Sequence, residues 1–573
     1  MMEKYANYLA VLTLVAMFAL MLGSSLNDSA IFDEVAHIGA GYTYLKYQDG
    51  RLNPEHPPLL KDLAALPLMF LNLKENITEQ SFWTIENVND RQWAAGNYLL
   101  YEAGPANGGA GNNPDQILFW SRLPMILLTI LFGWILFWWV KKRYGARVGL
   151  LTLFFFAVSH TLLAHGRYVT TDVGAALGFF LGIVFFLRFL ERRDAKSLIW
   201  CGIILGLVNL FKFSLVLLLP IYLILGVLWV WFNKGYYLKT LGQLILIGLI
   251  ALAVIYSAYI LQIWNYPHDQ QIKNAHYILS EYKYPPLAKL DFKLTERQLT
   301  RPLGLYLQGF LMVARRATGG NTAYFMGEVS SKGWWSYFPT LALTKEQLGF
   351  YILALFALFT VLKNKAKPDF TSLTAIIFII FYWASSILNP LNIGVRHVLP
   401  TFPFLYFLVA KSLLLEVQPR KNLTRLNLVI FSLMLWMVLE IILAFPYYLS
   451  YYNVLGGGLN NGYKIATDSN YDWGQDLKRL SDWTSENDIL KIYLDYFGGG
   501  SPKYYLGEKY EGWWSSFGQP PSGSYFAVSL NSLAGSQARS IGGIVIKSED
   551  SYSWLRGKTP IARTGSSILI YRF

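Results

Sequence analysis

A series of long apolar runs constrains the fold of this chain more than any other feature. Runs of about 17 to 25 apolar residues form membrane-spanning helices, because a helix satisfies its own backbone hydrogen bonds inside the bilayer. Of the 573 residues, 54% are hydrophobic and only 15% are charged, which argues against a water-soluble globular chain. The sequence predicts an α-helical polytopic membrane protein with about eleven transmembrane helices. The runs lie near residues 5–24, 117–140, 148–164, 171–190, 197–212, 213–232, 240–262, 348–362, 370–388, 398–415 and 427–446.

The segments between the runs alternate in basic charge, and this sets the orientation of the chain. Short loops rich in Lys and Arg stay in the cytoplasm, so the net charge of +13 indicates membrane topology rather than nucleic-acid binding. The basic segments are residues 141–147, 191–196, 233–239, 363–367 and 420–425. Counting spans from them places four regions on the outer side: residues 25–115, 263–347, 389–397 and everything after about 447.

Residues 447–573 differ in character from the preceding chain. Patterns typical of strands and of one amphipathic helix occur there, at residues 491–497, 524–530, 567–573 and 472–487. The sequence therefore predicts a transmembrane domain over residues 1–446, with a catalytic extracytoplasmic loop 25–115 and a second outward loop 263–347. Residues 447–573 are predicted to form a small α/β extracytoplasmic domain.

Two acidic residues, Asp33 and Glu34, follow the first apolar run in the stretch IFDEVAHIGAGY. Asp172 falls at the outward end of the fourth run, so the predicted topology brings it to the same membrane face. Ionisable groups at a membrane edge are costly and are commonly paired or functional. A helix N-cap also explains Asp33, and Thr170 and Thr171 can cap the helix of Asp172, so the pattern alone leaves both interpretations open.

The same face collects basic side chains and histidines, which we assign as candidate substrate-binding residues. They are His56, Lys61, Arg167, Lys212, Arg396 and His397. Arg and Lys suit phosphate recognition, because a guanidinium offers a fork of donors and an ammonium offers a compact charge. Each cation could instead snorkel to lipid headgroups, which is the simpler interpretation of Lys212. Arg396 lies in a short outward turn against the positive-inside trend, which favours a functional role.

Four motifs occur in order along the chain: DE at 33–34, HPP with a following lysine at 56–61, TD at 171–172 and GVRHVLPTFPFL at 394–405. In this order they resemble the polyprenyl-phosphate-dependent glycosyltransferases of the C superfamily (GT-C), specifically family 39, the protein O-mannosyltransferase and aminoarabinose transferase group. Residues 448–477 are similar to the C-terminal region of many bacterial members.

The resemblance covers most of the membrane part, including YFMGEVSSKGWWSYFP at 324–339. It departs from the eukaryotic O-mannosyltransferases, which have FDEVH where this chain has FDEVAH, with the histidine at position 37. The outward region 263–347 is also too short for their MIR repeats. The chain is therefore more similar to the bacterial, phospholipid-carrier-dependent branch.

The resemblance implies an inverting glycosyltransferase that moves a sugar from a polyprenyl-phosphate donor to a protein, lipid or glycan acceptor. Catalysis would take place outside the cytoplasm, at a bacterial plasma membrane. Asp33 carries over as the catalytic base, Glu34 as a residue that orients the acceptor or Asp33, and Asp172 as a second acid. Lys61 and Arg396 would bind the donor phosphate and stabilise its charge as it leaves.

No metal site is predicted as a requirement. Asp33, Asp172, Glu55 and His56 are competent ligands but show no diagnostic spacing, so dependence on a divalent cation is left open. His56 is expected to shape the site or donate a hydrogen bond in it. The chain shows neither a P-loop nor a Rossmann glycine fingerprint, as expected where a lipid-linked phosphate replaces a nucleotide donor.

Two other classes of protein fit part of the pattern. A transporter or flippase for a lipid-linked sugar also needs charged groups facing a cavity, but transporters often show two related halves, and here the polar loops are long, unequal and outward. A receptor-like module would act through residues 447–573 and leave Asp33 and Asp172 incidental. Sugar transfer from a polyprenyl-phosphate donor separates the three classes.

Overall fold

The computed structural model describes residues 2–85, 87–103, 111–416 and 423–573, so the predicted basic segment 420–425 lies partly outside the described residues. The α-helices are α1 (Met2–Ser25), α2 (Phe32–Tyr47), α3 (Leu59–Ala65), α4 (Val88–Asn97), α5 (Pro114–Tyr144), α6 (Ala146–Ala157), α7 (His160–His165), α8 (Asp172–Arg192), α9 (Ala195–Asn209), α10 (Leu218–Asn233), α11 (Tyr237–Gln262), α12 (His268–Leu279), α13 (Pro285–Glu296), α14 (Arg301–Gly319), α15 (Tyr337–Lys345), α16 (Leu348–Asn364), α17 (Phe370–Ile387), α18 (Phe402–Lys411), α19 (Leu423–Ala444), α20 (Gly458–Asn461), α21 (Leu477–Glu486), α22 (Pro502–Leu506) and α23 (Leu530–Gln537). The strands are β1 (Ala323–Phe325), β2 (Glu328–Ser330), β3 (Ile492–Asp495), β4 (Tyr510–Gly512), β5 (Tyr525–Ser529), β6 (Arg539–Ser540), β7 (Ala562–Thr564) and β8 (Ile568–Arg572).

Within the described ranges, 6 helices are long and apolar enough to cross a membrane, and a pair formed by α15 and α16, bent by 107°, brings the number to 7 if it counts as one span. The long helices are Glu3–Ser25, Pro114–Tyr144, Asp172–Arg192, Phe213–Asn233, Tyr237–Gln262 and Phe370–Ile387. Shorter apolar helices are Ala146–Ala157, Ala195–Asn209, Leu399–Leu415 and Leu428–Ala444. Every predicted run coincides with one of these segments, which confirms the polytopic helical membrane fold. The count of about eleven spans stays a prediction.

The ends of α5 show how the sequence delimits a long span. The Asn113 side chain accepts a hydrogen bond from the Gln116 backbone N–H at 3.2 Å, and Pro114 follows at a position where its missing N–H costs nothing. Basic residues 141–143 occupy the last turn, where positive charge is favourable, and Gly145 follows with a φ of 90°. The helix thus runs from a polar loop to a basic turn, as the predicted topology requires.

The mostly buried α8 packs inside the helical bundle, and its small residues make this close packing feasible. Glycines recur every fourth residue on one face, and a Cβ on any of them would overlap a leucine side chain of a neighbouring element. The glycines are Gly174, Gly178 and Gly182, which face Leu60, Leu215 and Leu218 in that order. Asp172 is the first residue of α8, so this packing carries it into the protein interior.

Helix α2 follows α1 closely and packs against α3 and α4. Gly39 of α2 faces Gly96 of α4 so closely that a Cβ on Gly39 would lie 2.7 Å from the Gly96 Cα. Gly41 approaches the backbone carbonyl of Lys61 in α3 in the same way. Because these contacts leave no space for side chains, they fix the position of α2 and of Asp33 in its first turn.

The second outward region, predicted at 263–347, contains three mutually packed helices and a hairpin. Helix α14 packs on α12, α13 and α11, and strands β1 and β2 then pair antiparallel with Tyr324 opposite Val329. The following residues enter α15, which turns sharply into α16. This arrangement brings the C-terminal part of α14 to the cavity described below.

The C-terminal region, residues 447–573, contains a five-stranded sheet in the order β4-β3-β5-β8-β7. Strand β3 pairs parallel with β4 and β5, whereas β8 pairs antiparallel with β5 and β7. The three predicted strands correspond to β3, β5 and β8, and the predicted amphipathic helix to α21. Strand β6 instead joins β2 in parallel, with Val329 opposite Ser540. The small C-terminal α/β fold is confirmed, and the domain boundary at residue 446 stays a prediction.

Candidate active site

A cavity of about 1040 Å³ lies where the outward-predicted segments meet the helix ends. It is lined from α2, α14, the start of α8 and the turn 391–397, and also from the C-terminal region. Several side chains assigned from the sequence line it, namely Asp33, His56, Asp172, Lys212, Arg396 and His397. Glu34, Lys61 and Arg167 are not part of the lining.

Arg396 lies at the centre of a chain of alternating charges. Its Nη1 donates to Asp33 Oδ2 at 2.7 Å and to Asp172 Oδ2 at 3.3 Å. Lys212 Nζ donates to the other oxygen, Oδ1, of Asp172 at 2.6 Å. Asp172, in the middle, has a side chain that is 2% exposed, whereas the two ends of the chain, Asp33 and Lys212, are 27% and 19% exposed.

The four charged residues come from four separate places in the sequence, each at the end of a helical element. Asp33 is in the first turn of α2, Asp172 begins α8, Lys212 precedes the short helix at 213, and Arg396 is in the turn before α18. The acids thus sit at helix N-termini, where the helix dipole stabilises negative charge. Topology places these helix ends at one face, as the sequence predicts.

Two histidines form the wall beside Asp33. The rings of His37 and His56 meet edge to face with centroids 5.1 Å apart, and His37 Nδ1 donates to the Val169 carbonyl oxygen at 3.0 Å. Burial lowers the pKa of His37, although the nearby Asp33 carboxylate raises it. Burial lowers the pKa of His56 well below its usual range, with a further contribution from His37. Both rings are therefore neutral hydrogen-bonding groups at neutral pH.

Glu34 does not line the cavity, and its predicted role of orienting the acceptor or Asp33 stays a prediction. It forms a two-point ion pair with Arg122, with Nε to Oε1 at 2.9 Å and Nη2 to Oε2 at 2.7 Å. It also accepts hydrogen bonds from the backbone N–H groups of Ile31 at 3.0 Å and Val169 at 3.1 Å. Arg122 lies inside an apolar run, where no local pattern marks it as the partner. Glu34 therefore anchors α2 and acts on Asp33 only through the backbone.

Lys61 and Arg167 are buried, and both make contacts within the protein rather than lining the cavity. Lys61 Nζ donates to the carbonyl oxygens of Asn53 and His56, each at 2.7 Å, and so holds the loop that carries His56. Arg167 pairs with Asp28 at 3.0 Å. The partner of Arg167 comes from a distant segment, whereas the partners of Lys61 lie in the loop just before it. The predicted contact of Lys61 with the donor phosphate stays a prediction.

The cavity lining also includes charged and aromatic residues that were not assigned from the sequence, among them Arg316, Asp468 and Trp473. Arg316 Nη1 pairs with Glu55 Oε1 at 3.0 Å, and Asp468 and Trp473 enter from the C-terminal region. Burial, reinforced by the charge of Asp33, raises the pKa of Asp468 to about 6, although Arg396 lowers it. Asp468 and Trp473 lie within the stretch 448–477 that carried the family resemblance, so that similarity was the available signal.

The cavity contains side chains whose oxygen and nitrogen atoms can bind a metal ion. Among the described residues, no group of three or more His, Cys, Asp or Glu side chains is arranged to hold a metal ion. Asp33, Asp172, Glu55 and His56 all line the cavity, but cations of the protein already occupy the carboxylates: Arg396 and Lys212 pair with the two aspartates, and Arg316 with Glu55.

The fold is that of a polytopic membrane protein, and one part of the chain is similar to a family of glycosyltransferases. Residues 116–259 match the family model described as dolichyl-phosphate-mannose-protein mannosyltransferase, and this region contains Asp172 and Lys212. The family resemblance drawn from the motifs is confirmed through this domain. No protein with a curated description matches the chain in sequence.

A search of solved structures finds chains with low sequence identity to this one. The crystal structure of ArnT from Cupriavidus metallidurans bound to undecaprenyl phosphate has a TM-score of 0.48 and 13% identity, covering 98% of this chain and 97% of that chain. The Archaeoglobus fulgidus oligosaccharyltransferase in complex with zinc and sulfate has a TM-score of 0.42 and 13% identity, covering 86% and 57%. The apo state of the same ArnT has a TM-score of 0.35 and 11% identity, covering 99% and 98%.

Proposed function

We propose that this protein transfers a sugar from a polyprenyl-phosphate donor to an acceptor on the outer side of a bacterial plasma membrane, with inversion at the anomeric carbon. The observation that carries this proposal is the alternating set of Asp33, Arg396, Asp172 and Lys212 at one end of the cavity. It combines cations for a phosphate with an accessible carboxylate for an incoming hydroxyl, at the face where membrane helices end.

Arg396 and Lys212 form the phosphate end of the site. As the bond between C1 of the sugar and the phosphate oxygen breaks, its electron pair leaves with the phosphate, and both cations stabilise that charge. Asp172 contacts both cations, so it holds them in place before the donor arrives. A preorganised pair of this kind avoids the cost of moving charges during the reaction.

Asp33 forms the acceptor end of the site. The acceptor oxygen attacks C1 from the side opposite the phosphate, and its proton passes to a carboxylate oxygen of Asp33. The nearby negative charge also stabilises a sugar ring with oxocarbenium character. When a phosphate binds Arg396, it competes with Asp33 for the same guanidinium, so donor binding would release the Asp33 oxygen that accepts the proton.

Transfer of labelled sugar by the purified protein tests this function. Protein reconstituted in liposomes is given polyprenyl-phosphate donors carrying labelled hexoses or pentoses, together with cell membranes as the source of acceptor. We expect free polyprenyl phosphate and a labelled product with the opposite anomeric configuration, read by chromatography and NMR. A flippase would move the donor between leaflets with the sugar–phosphate bond intact, and this outcome would exclude the proposal.

A further inference from the structure

The side chain of Trp473 lies directly against Arg396. The guanidinium carbon of Arg396 is 4.2 Å from the centroid of the indole ring, and Trp473 is 1% exposed. A cation over an aromatic face is attracted by the negative potential of the ring, and the attraction grows as water is excluded. Trp473 therefore covers one face of the guanidinium while its edge remains available for Asp33, Asp172 or a phosphate.

The chain around Trp473 is interlocked with the turn that carries Arg396. Asn470 Oδ1 accepts a hydrogen bond from the Val395 backbone N–H at 2.9 Å, and Ser469 Oγ donates to the Ile393 carbonyl oxygen at 2.6 Å. Gly394, between them, has a φ of 138°, and a Cβ there would overlap Ser469 Oγ. The two turns therefore hold one fixed relative position.

Two further contacts tie the same segment to the membrane part of the site. Lys345 Nζ, at the bend between α15 and α16, donates to the Asn470 carbonyl oxygen at 2.7 Å. The carbonyl oxygen of Trp473 accepts a hydrogen bond from the backbone N–H of Phe32 at 3.0 Å, one residue before Asp33. Trp473 thus contacts Arg396 through its side chain and the start of α2 through its backbone.

We propose that Trp473 is a positioning residue of the donor-phosphate subsite, so that the C-terminal region forms part of the active site. Its indole holds the Arg396 guanidinium in the orientation that presents two N–H groups to a phosphate. Arg396 has a long flexible side chain, and fixing its rotamer before binding removes an entropic cost of gripping the ligand. This inference rests on the proposed function, because it assigns the phosphate end of that site.

The affinity for undecaprenyl phosphate measures this role without knowledge of the sugar or acceptor. Full-length Trp473→Leu, which loses the aromatic ring, should bind the lipid about 2- to 30-fold more weakly, and Trp473→Phe should recover most of the loss. The solvent-facing Trp514 of the same region is 55% exposed and does not line the cavity, so Trp514→Leu is the matched control and should bind like wild type.

A double-mutant cycle separates positioning from general structural damage. In an Arg396→Ala background, Trp473→Leu should cause no further loss, because the group that Trp473 positions is gone. An equal loss in both backgrounds, or wild-type affinity of Trp473→Leu, would overturn the inference. Gel filtration and thermal unfolding report whether the leucine variant folds. If it does not, Trp473→Met carries the cycle in both backgrounds, because methionine also lacks the aromatic ring and adapts its shape to the space that the ring leaves.

The two proposals fail in different ways. If wild type does not bind undecaprenyl phosphate, the proposed donor class is wrong. The proposed role of Trp473 is then also wrong, because it depends on that donor. If wild type binds and Arg396→Ala does not, while Trp473→Leu retains full affinity, the phosphate end stands and Trp473 alone is excluded.

Discussion

At the residue scale, the site depends on one guanidinium that two carboxylates share. Arg396 contacts Asp33 and Asp172 with the same nitrogen, and the nearby anions raise its pKa although burial lowers it. The Arg396 side chain therefore keeps its positive charge, whereas the anions that contact it can be exchanged. Asp172 is also bound to Lys212, so the Asp33 contact is the one that an entering phosphate can replace at least cost.

The first prediction concerns Asp33. Asp33→Asn keeps the size of the side chain but loses its basicity, so turnover should fall about 100- to 10,000-fold. Binding of undecaprenyl phosphate should not weaken, because the variant removes a negative charge beside the phosphate position. Single-turnover kinetics with labelled donor and a lipid-binding assay measure the two quantities.

An exposed carboxylate of the C-terminal region provides the control for this variant. Asp482 lies on α21 away from the cavity, and Asp482→Asn should retain wild-type turnover and binding. If Asp33→Asn retained wild-type turnover, Asp33 would serve only as a partner of Arg396, and the base would have to be sought elsewhere in the cavity.

The second prediction concerns the fork geometry of Arg396. Arg396→Lys keeps the charge but has a single nitrogen, so affinity for undecaprenyl phosphate should fall, and Arg396→Ala should weaken it further, by about 10- to 100-fold in total. Titration of the lipid against both purified variants gives the order. Arg556 is exposed and outside this cavity, and Arg556→Lys serves as the control. Equal affinities across the Arg396 series would exclude Arg396 from the phosphate-binding site.

Asp33, Asp172 and Arg396 were assigned from the sequence, and all three line the cavity. The roles assigned to Glu34, Lys61 and Arg167 stay predictions. The structure pairs Glu34 and Arg167 with charges far away in the sequence, and it bonds Lys61 to carbonyl oxygens of the loop just before it. A buried ion pair and a catalytic group both look like a charge beside an apolar run, and only the three-dimensional contacts distinguish them.

At the element scale, α2 is the part whose position decides the geometry of the site. The first turn of α2 carries Asp33, and the next residue, Glu34, anchors the helix to Arg122 of α5. Gly39 fixes the position at which α2 crosses α4. The apolar runs were predictable because hydropathy alone selects membrane helices. The close glycine contacts and the 107° bend between α15 and α16 were not, since they arise from packing between elements.

The third prediction tests the anchor of α2. Glu34→Gln leaves the buried Arg122 without its counter-charge, which should lower the free energy of unfolding by about 3–5 kcal/mol. Replacing both residues with methionine should restore much of that loss, because no charge is then left unpaired. Thermal unfolding of the detergent-solubilised variants measures both effects.

The stability of the Glu34→Gln variant distinguishes an anchoring role of Glu34 from a role in orienting the acceptor. Glu508 is exposed, and Glu508→Gln should unfold like wild type. If Glu34→Gln had wild-type stability but a raised KM for the acceptor, Glu34 would orient the acceptor, which is one of the two roles that the family resemblance implies, and the anchoring role would be wrong.

At the scale of the whole molecule, the C-terminal region is joined to the first outward region through backbone and charge. The Ser29 N–H donates to the Gln475 carbonyl oxygen at 3.0 Å, and the Gly499 N–H to that of Ala30 at 3.1 Å. The buried Asp28 pairs with Arg479 at 2.9 Å. The sequence predicted a small domain here. Its patterns indicate strands and a helix, but they do not show which other segments these elements contact. In the folded chain this region supplies a wall of the active-site cavity.

The last prediction concerns the side of the membrane on which this assembly lies. Basic loops remain in the cytoplasm, so cysteines introduced at the exposed Lys196 and Lys367 should be protected from an impermeant thiol reagent in intact cells. Cysteines at the exposed Thr84 and Leu490 should react, because the topology drawn from the basic loops predicts that both regions lie on the outer side. The native Cys201 is buried and is replaced first. Permeabilised cells, in which all four positions should label, provide the control. Labelling of Lys196 and Lys367 alone in intact cells would place the cavity in the cytoplasm and remove the extracytoplasmic acceptor from the proposal.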